Sequence, residues 1–356
     1  MLYVKLALHG SGFTNQIFSL INGIILGIYK EDKVIFIDYF SNDFLKNKYT
    51  KISDILNISA INNYLYIKYG TIIVDKYNND FKFNYIKYGV SHIKYYYLNC
   101  YNYPIHIKKN EHFNSLYGDP CPNIYKELIV NYSVYGYTMN EKYPENLDTD
   151  LIVDIENSEY VNTFAWINAY NKEMFEDILT HIIFNDTLVI QSESQIQDIF
   201  KIKNTSSNKI NIIHLRVEDD AIAHWSKMNN MTELGFKSVI EKKYIELFKK
   251  YIDKTDFTVI LTNSKKNGVF DFLEIEEYSY VTLNKLYEDR ELNAIIEILT
   301  ASKICNNKFI GNFNFTNLMG STFSYFICKI LNSKSIEKIM IDLDNIVNTE
   351  QLTTNC

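Results

Sequence analysis

Arginine is almost missing. The 356-residue chain has 36 basic side chains, and only two of them, Arg216 and Arg290, are arginine. Lysine can replace arginine wherever a point charge suffices, but not where a planar fork must grip two oxygens. In a composition rich in Asn, Ile, Lys and Tyr, the two that remain both raise a functional question. An excess of positive charge is lacking too. Against 43 acidic residues the formal charge is −7, which argues against a general affinity for nucleic acid or anionic membrane. The five cysteines (Cys100, Cys121, Cys305, Cys328, Cys356) are scattered without a CxxC. Neither a disulfide scaffold nor a zinc framework is encoded, and reduced thiols are expected. No apolar run reaches the ~20 residues of a membrane span; the longest, residues 17–29, is interrupted by Ser19 and Asn22. The opening MLYVKLALHG has no basic n-region and no A-x-A site, so it reads as a strand rather than a leader, and a cytoplasmic location is expected.

What is present is a chain that is 47% hydrophobic, enough for a large core, at a length that favours two domains. Residues 3–8 form an apolar run that ends in His9-Gly10-Ser11-Gly12, and residues 15–28 then continue apolar without a strong breaker. Strand, tight loop and helix follow from that pattern, and the apolar residues 34–38 give a second buried strand, opening a βαβ unit. Residues 64–109 mix Tyr, Ile and Lys, with seven lysines against two aspartates. Alternation there predicts strands, with a half-buried sheet or an acceptor surface preferred to a platform for nucleic-acid bases. Residues 141–159 hold seven carboxylates and one lysine and read as a solvated linker or loop.

The polar residues 201–208 break the pattern, and a domain boundary is expected there, between an acceptor-side domain over 1–200 and a nucleotide-binding domain over 208–342, with a tail over 343–356. The second domain predicts strands at 209–215, 257–261, near Val281 and at 308–310. Helices are expected at about 233–252, at 289–304 and from Thr322. The expected fold class is therefore α/β, two Rossmann-like domains facing a cleft.

Successive strand ends of the second half finish in polar or small residues: His214-Leu215-Arg216 with Glu218-Asp219-Asp220, then Thr262-Asn263-Ser264, then Gly311-Asn312 followed by Ser321-Thr322-Phe323-Ser324. Ligands bind at the carboxyl ends of parallel strands. The Ser/Thr cluster opens a helix, so its hydroxyls and backbone N–H groups suit an anion, and Arg216 can close on the same anion bidentately. The combination describes a diphosphate site. Each half has a plainer reading as well, a helix N-cap for the serines and a local ion pair for Arg216.

The order of these elements resembles the GDP-fucose-dependent fucosyltransferases, the superfamily of the α-1,2 and α-1,6 enzymes and the protein O-fucosyltransferases. Gly12-Phe13-Thr14-Asn15-Gln16 is similar to that family's G-(L/F)-G-N-Q loop, with Thr14 in place of a glycine. His214-Leu215-Arg216-Val217 resembles its H-x-R motif, whose arginine grips the β-phosphate of GDP-fucose. Thr262-Asn263-Ser264 looks like T-D-S with Asn263 in place of the aspartate. Residues 308–312 and Ser321-Thr322-Phe323-Ser324 resemble F-I-G-x and S-(S/T)-F-(S/T), with residues 313–320 as an insertion.

The resemblance implies a GT-B architecture and an inverting transfer of fucose from GDP-fucose to a glycan or protein hydroxyl, with no divalent metal and no other cofactor. By that resemblance Arg216, His214, Asn263, Ser264, Ser321, Thr322, Phe323, Ser324 and Gly12 hold the donor, and Asn15 reaches the sugar or phosphate. Chemistry offers a metal-free route: a departing diphosphate needs either a carboxylate-held cation or fixed donors, and Arg216 with a hydroxyl-rich helix start supplies the second. Were Glu218-Asp219-Asp220 on a strand, adjacent side chains would point to opposite faces and could not share a metal. Asp219 or Asp220 is the first candidate for the base that activates the acceptor hydroxyl, and His224 the second. Two other readings keep the fold: a transferase using another nucleotide-sugar, and a non-catalytic glycan- or nucleotide-binding protein. Arg290, beside Asp289 and Glu291, is expected in an ion pair.

Overall fold

The computed structural model describes residues 2–5, 12–42, 48–75, 82–91, 93–98, 105–107, 112–146, 151–153, 159–162, 170–203, 207–313, 320–331, 335–341 and 343. The chain divides into two compact units, Met1–Ser11 with Gln16–Asn185, and Gly12–Asn15 with Asp186–Cys356.

In the first unit a parallel sheet runs in the order Glu159–Asn162, Leu2–Lys5, Val34–Ile37, Ile72–Asp75. The strands VIFI and IIVD are buried at every position, as unbroken apolar runs should be when both faces of a parallel sheet are covered. Helix Phe13–Tyr29 follows the first strand, as the βαβ pattern predicts. A second, antiparallel sheet has the order Tyr137–Pro144, Glu127–Val134, Lys82–Val90, Lys94–Leu98. Its inner face (Ile86, Tyr88, Leu128, Val130, Tyr132, Met139) shares one core with Val34, Phe36, Ile72 and Val74. On the other face the Lys87 ammonium lies 4.2 Å from the centre of the Tyr95 ring, and amides of Asn84, Asn131 and Asn140 hydrogen-bond in series.

Two sequence expectations need correction here. The stretch 64–109 begins inside a helix, Ile58–Tyr69, capped by the Asn57 side chain and ended by Gly70 in the left-handed conformation; its strands come after. The acidic stretch 141–159 is not a linker throughout, because it includes the end of strand Tyr137–Pro144, strand Leu151–Val153 and the first residue of Glu159–Asn162. Two of its carboxylates, Glu141 and Glu145, have partners, and their charge is compatible with ordered structure. Glu141 accepts from the Tyr132 and Tyr143 hydroxyls, and Glu145 from the Asn114 amide and the Lys126 N–H.

The second unit is built on a five-stranded parallel sheet in the order Tyr280–Thr282, Phe257–Leu261, Ile210–His214, Lys308–Gly311, Glu337–Met340. Chain order reverses between Ile210–His214 and Lys308–Gly311, so this pair forms the topological switch point. Helix Glu233–Tyr251, capped by Thr232, packs Phe236, Ile240, Tyr244 and Phe248 onto Ile213, Ile260 and Ile310. Each phenylalanine so buried contributes about 1.5–3 kcal/mol. The expected strands and the three helices at 233–252, at 289–304 and from Thr322 are all present, within a residue or two at most ends.

The division between units falls at Asn185, ahead of the polar residues 201–208 where the sequence placed it. Helix Asp186–Ile202 groups with the second unit because Gln195 donates to the Asn284 carbonyl (2.7 Å), Lys303 pairs with Glu193 (2.9 Å) and Tyr287 donates to Gln191. Of the tail, residue 343 alone lies among the described residues. No described helix is long and apolar enough to cross a membrane. Cys121 in the first unit and Cys305 and Cys328 in the second are buried. Burial pushes the Cys305 thiol up to about 12.

Candidate functional site

The site of the second unit starts at the switch point. Strand Ile210–His214 is buried along its whole length and ends in His214. Strand Lys308–Gly311 ends in Gly311, and helix Thr322–Ile330 starts just beyond with Ser321 as its cap. The two strand ends meet that helix through one hydrogen bond, His214 Nδ1 to Ser324 Oγ at 2.6 Å. Gly311 permits the approach, since a Cβ there would lie 2.8 Å from Ser324 Oγ and 3.0 Å from the Phe309 ring. The imidazole also packs against Phe323 at 4.6 Å between ring centres. Burial, and then the charges of Arg216, Arg290 and Lys285, pull the His214 pKa down to about 3. Burial and these charges favour the neutral imidazole of His214 at ordinary pH.

The other helix-start hydroxyls are engaged locally. Ser321 Oγ accepts from the Ser324 N–H, and Thr322 Oγ1 lies 2.8 Å from Thr14 Oγ1. What the helix start retains for an anion is its backbone: N–H groups in the first turn have no partner within the helix.

Arg216 follows the strand by two residues. Its backbone N–H donates to the Tyr244 hydroxyl (3.2 Å), which donates in turn to the His214 carbonyl (2.8 Å). Tyr244 is fully buried and was not distinguishable in sequence from the other aromatic residues of its helix. Replacing it with phenylalanine leaves the Arg216 N–H and His214 carbonyl without that partner. The expected loss is about 1–3 kcal/mol of stability, read as a lowered denaturant midpoint at unchanged slope; an unchanged midpoint would show that the hydroxyl holds nothing.

The Arg216 guanidinium is gripped on two sides, Nη1 by Glu218 Oε2 (3.2 Å) and Nη2 by Asp220 Oδ2 (3.1 Å). Glu218 is anchored further, its Oε1 accepting from Thr262 Oγ1 (3.2 Å) and the Asn263 N–H (2.9 Å). Asp220 also pairs with Arg290 Nη2 at 3.4 Å. Burial works against ionisation of Asp220, but the guanidinium groups of Arg216 and Arg290 outweigh it and hold the pKa below its ordinary value. Arg290 opens helix Arg290–Ile304, which Asp289 caps through the N–H groups of Glu291 and Leu292. The ion pair expected of Arg290 exists, with Asp220, a partner 70 residues away, on one side of the guanidinium.

Beside these groups is a cavity of about 310 Å³, with Glu218, Asp220, Asn263, Lys285, Tyr287 and Arg290 among its walls. Asn293 shapes one wall, its Oδ1 accepting from the N–H groups of Leu286 and Tyr287 and its Nδ2 donating to the Tyr287 carbonyl. Lys285 is paired with the buried Glu297, whose pKa burial raises. Asn263 is exposed, while Ser264 is tied into its own turn, its N–H on Thr262 Oγ1 and its Oγ accepting from Asn267.

The N-terminal loop residues belong to this unit as well. The Phe13 N–H donates to Glu291 Oε2, and Gly12 stands against the same carboxylate. Burial raises the Glu291 pKa, with the Phe13 N–H and Arg290 opposing. Asn15 sits in the first turn of its helix, partly buried. His9 lies outside the described residues.

The candidate bases are placed differently from expectation. Residues 219 and 220 do not continue a strand but open helix Asp219–Met228, with Glu218 at the N-cap position. Carboxylates there meet the positive end of the helix dipole. The strand-face argument about metals does not apply to them; among the described residues no group of three or more His, Cys, Asp or Glu is arranged to hold a metal. Asp219 and His224 are exposed and outside the cavity walls. The structure thus gathers Arg216, Glu218, Asp220, Asn263 and Arg290 in one place, links His214 to Ser324 beside it, and leaves Asp219 and His224 apart. The sequence reading missed Tyr244, Glu291 and the distant partner of Arg290.

No family model matches the chain, and no curated protein matches it in sequence. Among solved structures it is similar to POFUT1 in complex with GDP, at 9% identity and a TM-score of 0.46, over 95% of this chain and 97% of that one. It is similar also to POFUT1 in complex with GDP-fucose in two crystal forms, at 11% identity and TM-scores of 0.47 and 0.48, over 96% and 95% of this chain and 98% and 97% of those. A likeness at this level assigns no activity, and the functional reading rests on the chain's own residues.

Proposed function

We propose that the protein is a GT-B glycosyltransferase that takes fucose from GDP-fucose and transfers it, with inversion and without a metal, to a hydroxyl of a glycan or protein. The observation that carries this reading is the hydrogen bond from His214 to Ser324. It ties the end of the central strand, two residues before Arg216, to the start of helix Thr322–Ile330 at the switch point of the sheet. A nucleotide-sugar leaves behind a diphosphate. Fixed cationic and N–H donors can meet the charge that grows on it, and they need no reorganisation as the bond breaks. The acceptor base stays with Asp219 or Asp220. Asn15 and Gly12 stand on the loop that Glu291 holds.

Titration of GDP into wild type and Arg216→Lys tests the reading. Loss of one bidentate contact is expected to weaken binding by about 1–3 kcal/mol; equal affinity would remove Arg216 from the site. A different donor base is the second reading, favoured by Asn263, which presents an amide on the cavity wall where the resembling family has a carboxylate. Thermal shifts with GDP, UDP and dTDP separate the two.

A further inference from the structure

The two arginines of the chain stand 74 positions apart in sequence, 290 less 216, and meet at one atom. Asp220 Oδ2 is 3.1 Å from Arg216 Nη2 and 3.4 Å from Arg290 Nη2. A chain that uses lysine for nearly every positive charge has kept guanidinium at both sides of this oxygen, and lysine would serve there if the ion pair were all that mattered. Two forks aimed at one oxygen are the arrangement that grips a multi-oxygen anion.

We infer that Arg290 is the second arm of a two-arginine diphosphate clamp, and that Asp220 is a displaceable stand-in occupying the anion's place while the site is empty. The inference rests on the glycosyltransferase reading for the identity of the ligand, but its core, a pyrophosphate held between Arg216 and Arg290, is independent of the sugar and base.

The two carboxylates that touch Arg216 divide the work. Glu218 is the fixed one: its side chain is 11% exposed and it has three partners, on Arg216, Thr262 and the Asn263 N–H. It holds Nη1 and so sets the direction of the fork. Asp220 is the more exposed one. Its side chain is half exposed, on the first turn of a helix, where it is also hydrogen-bonded to the Ala221 backbone, and both of its arginine contacts run through the same oxygen. Turning its side chain toward solvent removes the contact it makes with Nη2 of both arginines and leaves the Glu218 anchor in place. The cavity bordered by Asp220 and Arg290 adjoins the vacated position, with Lys265 and Lys285 also on its walls.

The test is calorimetric titration of inorganic pyrophosphate, and separately of GDP, into wild type, Arg290→Lys and Asp220→Asn, with the melting temperature of each. Arg290→Lys is expected to weaken both ligands about tenfold while melting near the wild type. Asp220→Asn is expected to tighten pyrophosphate several-fold, because the internal competitor loses its charge. Should Arg290→Lys not fold, Arg290→Gln must show the same weakening. Unchanged affinity in the Arg290 variants, or weaker pyrophosphate binding in Asp220→Asn, overturns the clamp while leaving the transferase reading in place if GDP still binds. Pyrophosphate binding that depends on Arg290 without any GDP binding upholds the clamp and removes the proposed donor. A wild type that binds neither ligand overturns both.

Discussion

A Gly311→Val variant is expected to lose about 3 kcal/mol of stability, and with it the capacity to bind a nucleotide. The argument is geometric. Strand Lys308–Gly311 ends against helix Thr322–Ile330, and the first side-chain atom added at Gly311 would sit 2.8 Å from Ser324 Oγ, 3.2 Å from Ser324 Cβ and 3.0 Å from the Phe309 ring. Ser324 is fully buried and its hydroxyl is held by His214, so it has no easy rotation away. Valine carries two methyl groups beyond that first clash. Relief comes by moving the helix start outward, which breaks the His214 contact and shifts the N–H groups proposed to face the diphosphate. Chemical denaturation with a parallel GDP titration reads both effects. Wild-type stability would mean that strand and helix do not approach as closely as the structure has them.

The second large effect is on pH. The His214 pKa falls from 6.5 in an unfolded chain to about 3 in the folded one, first through burial and then through Arg216, Arg290 and Lys285. As pH drops below 6.5, the unfolded chain takes up this proton and the native one does not, so stability falls with acidification. The contribution is complete above pH 6.5 and declines until the folded histidine itself titrates near pH 3. Between pH 6.5 and 5 the loss amounts to about 2 kcal/mol from this one side chain. Urea unfolding across that range, in wild type and in His214→Asn, checks it. The variant should show a flatter dependence, and equal slopes in the two proteins would place the acid sensitivity elsewhere.

How much of this was legible beforehand depended on distance along the chain. The second unit's strands INIIH, FTVIL and KFIG are short, mostly apolar runs followed by polar or small residues, which is how buried parallel strands read. Motif order placed His214 and Ser324 at neighbouring strand and helix ends, but the hydrogen bond between them is visible only in the structure. Asp219 and Asp220 were misplaced on a strand since acidic residues after a strand resemble a continuing solvent edge, whereas here they begin a helix whose dipole favours them. Arg290 looked like a partner for its neighbours Asp289 and Glu291. Asp289 caps the helix and Glu291 receives the Phe13 N–H, and the guanidinium also meets Asp220 from a distant helix. Tyr244 had no local signal at all: a tyrosine on the apolar face of a helix gives no hint that its hydroxyl bridges two backbone groups of a distant strand end.

The buried sulfurs give the molecule a set of internal timers. Cys121 sits in one unit, Cys305 and Cys328 in the other, and a thiol whose proton is held as tightly as that of Cys305 is a poor nucleophile until water reaches it. Alkylation at each position is therefore gated by local opening, so one labelling experiment resolved by peptide mass dates the loosening of each half without attaching any probe.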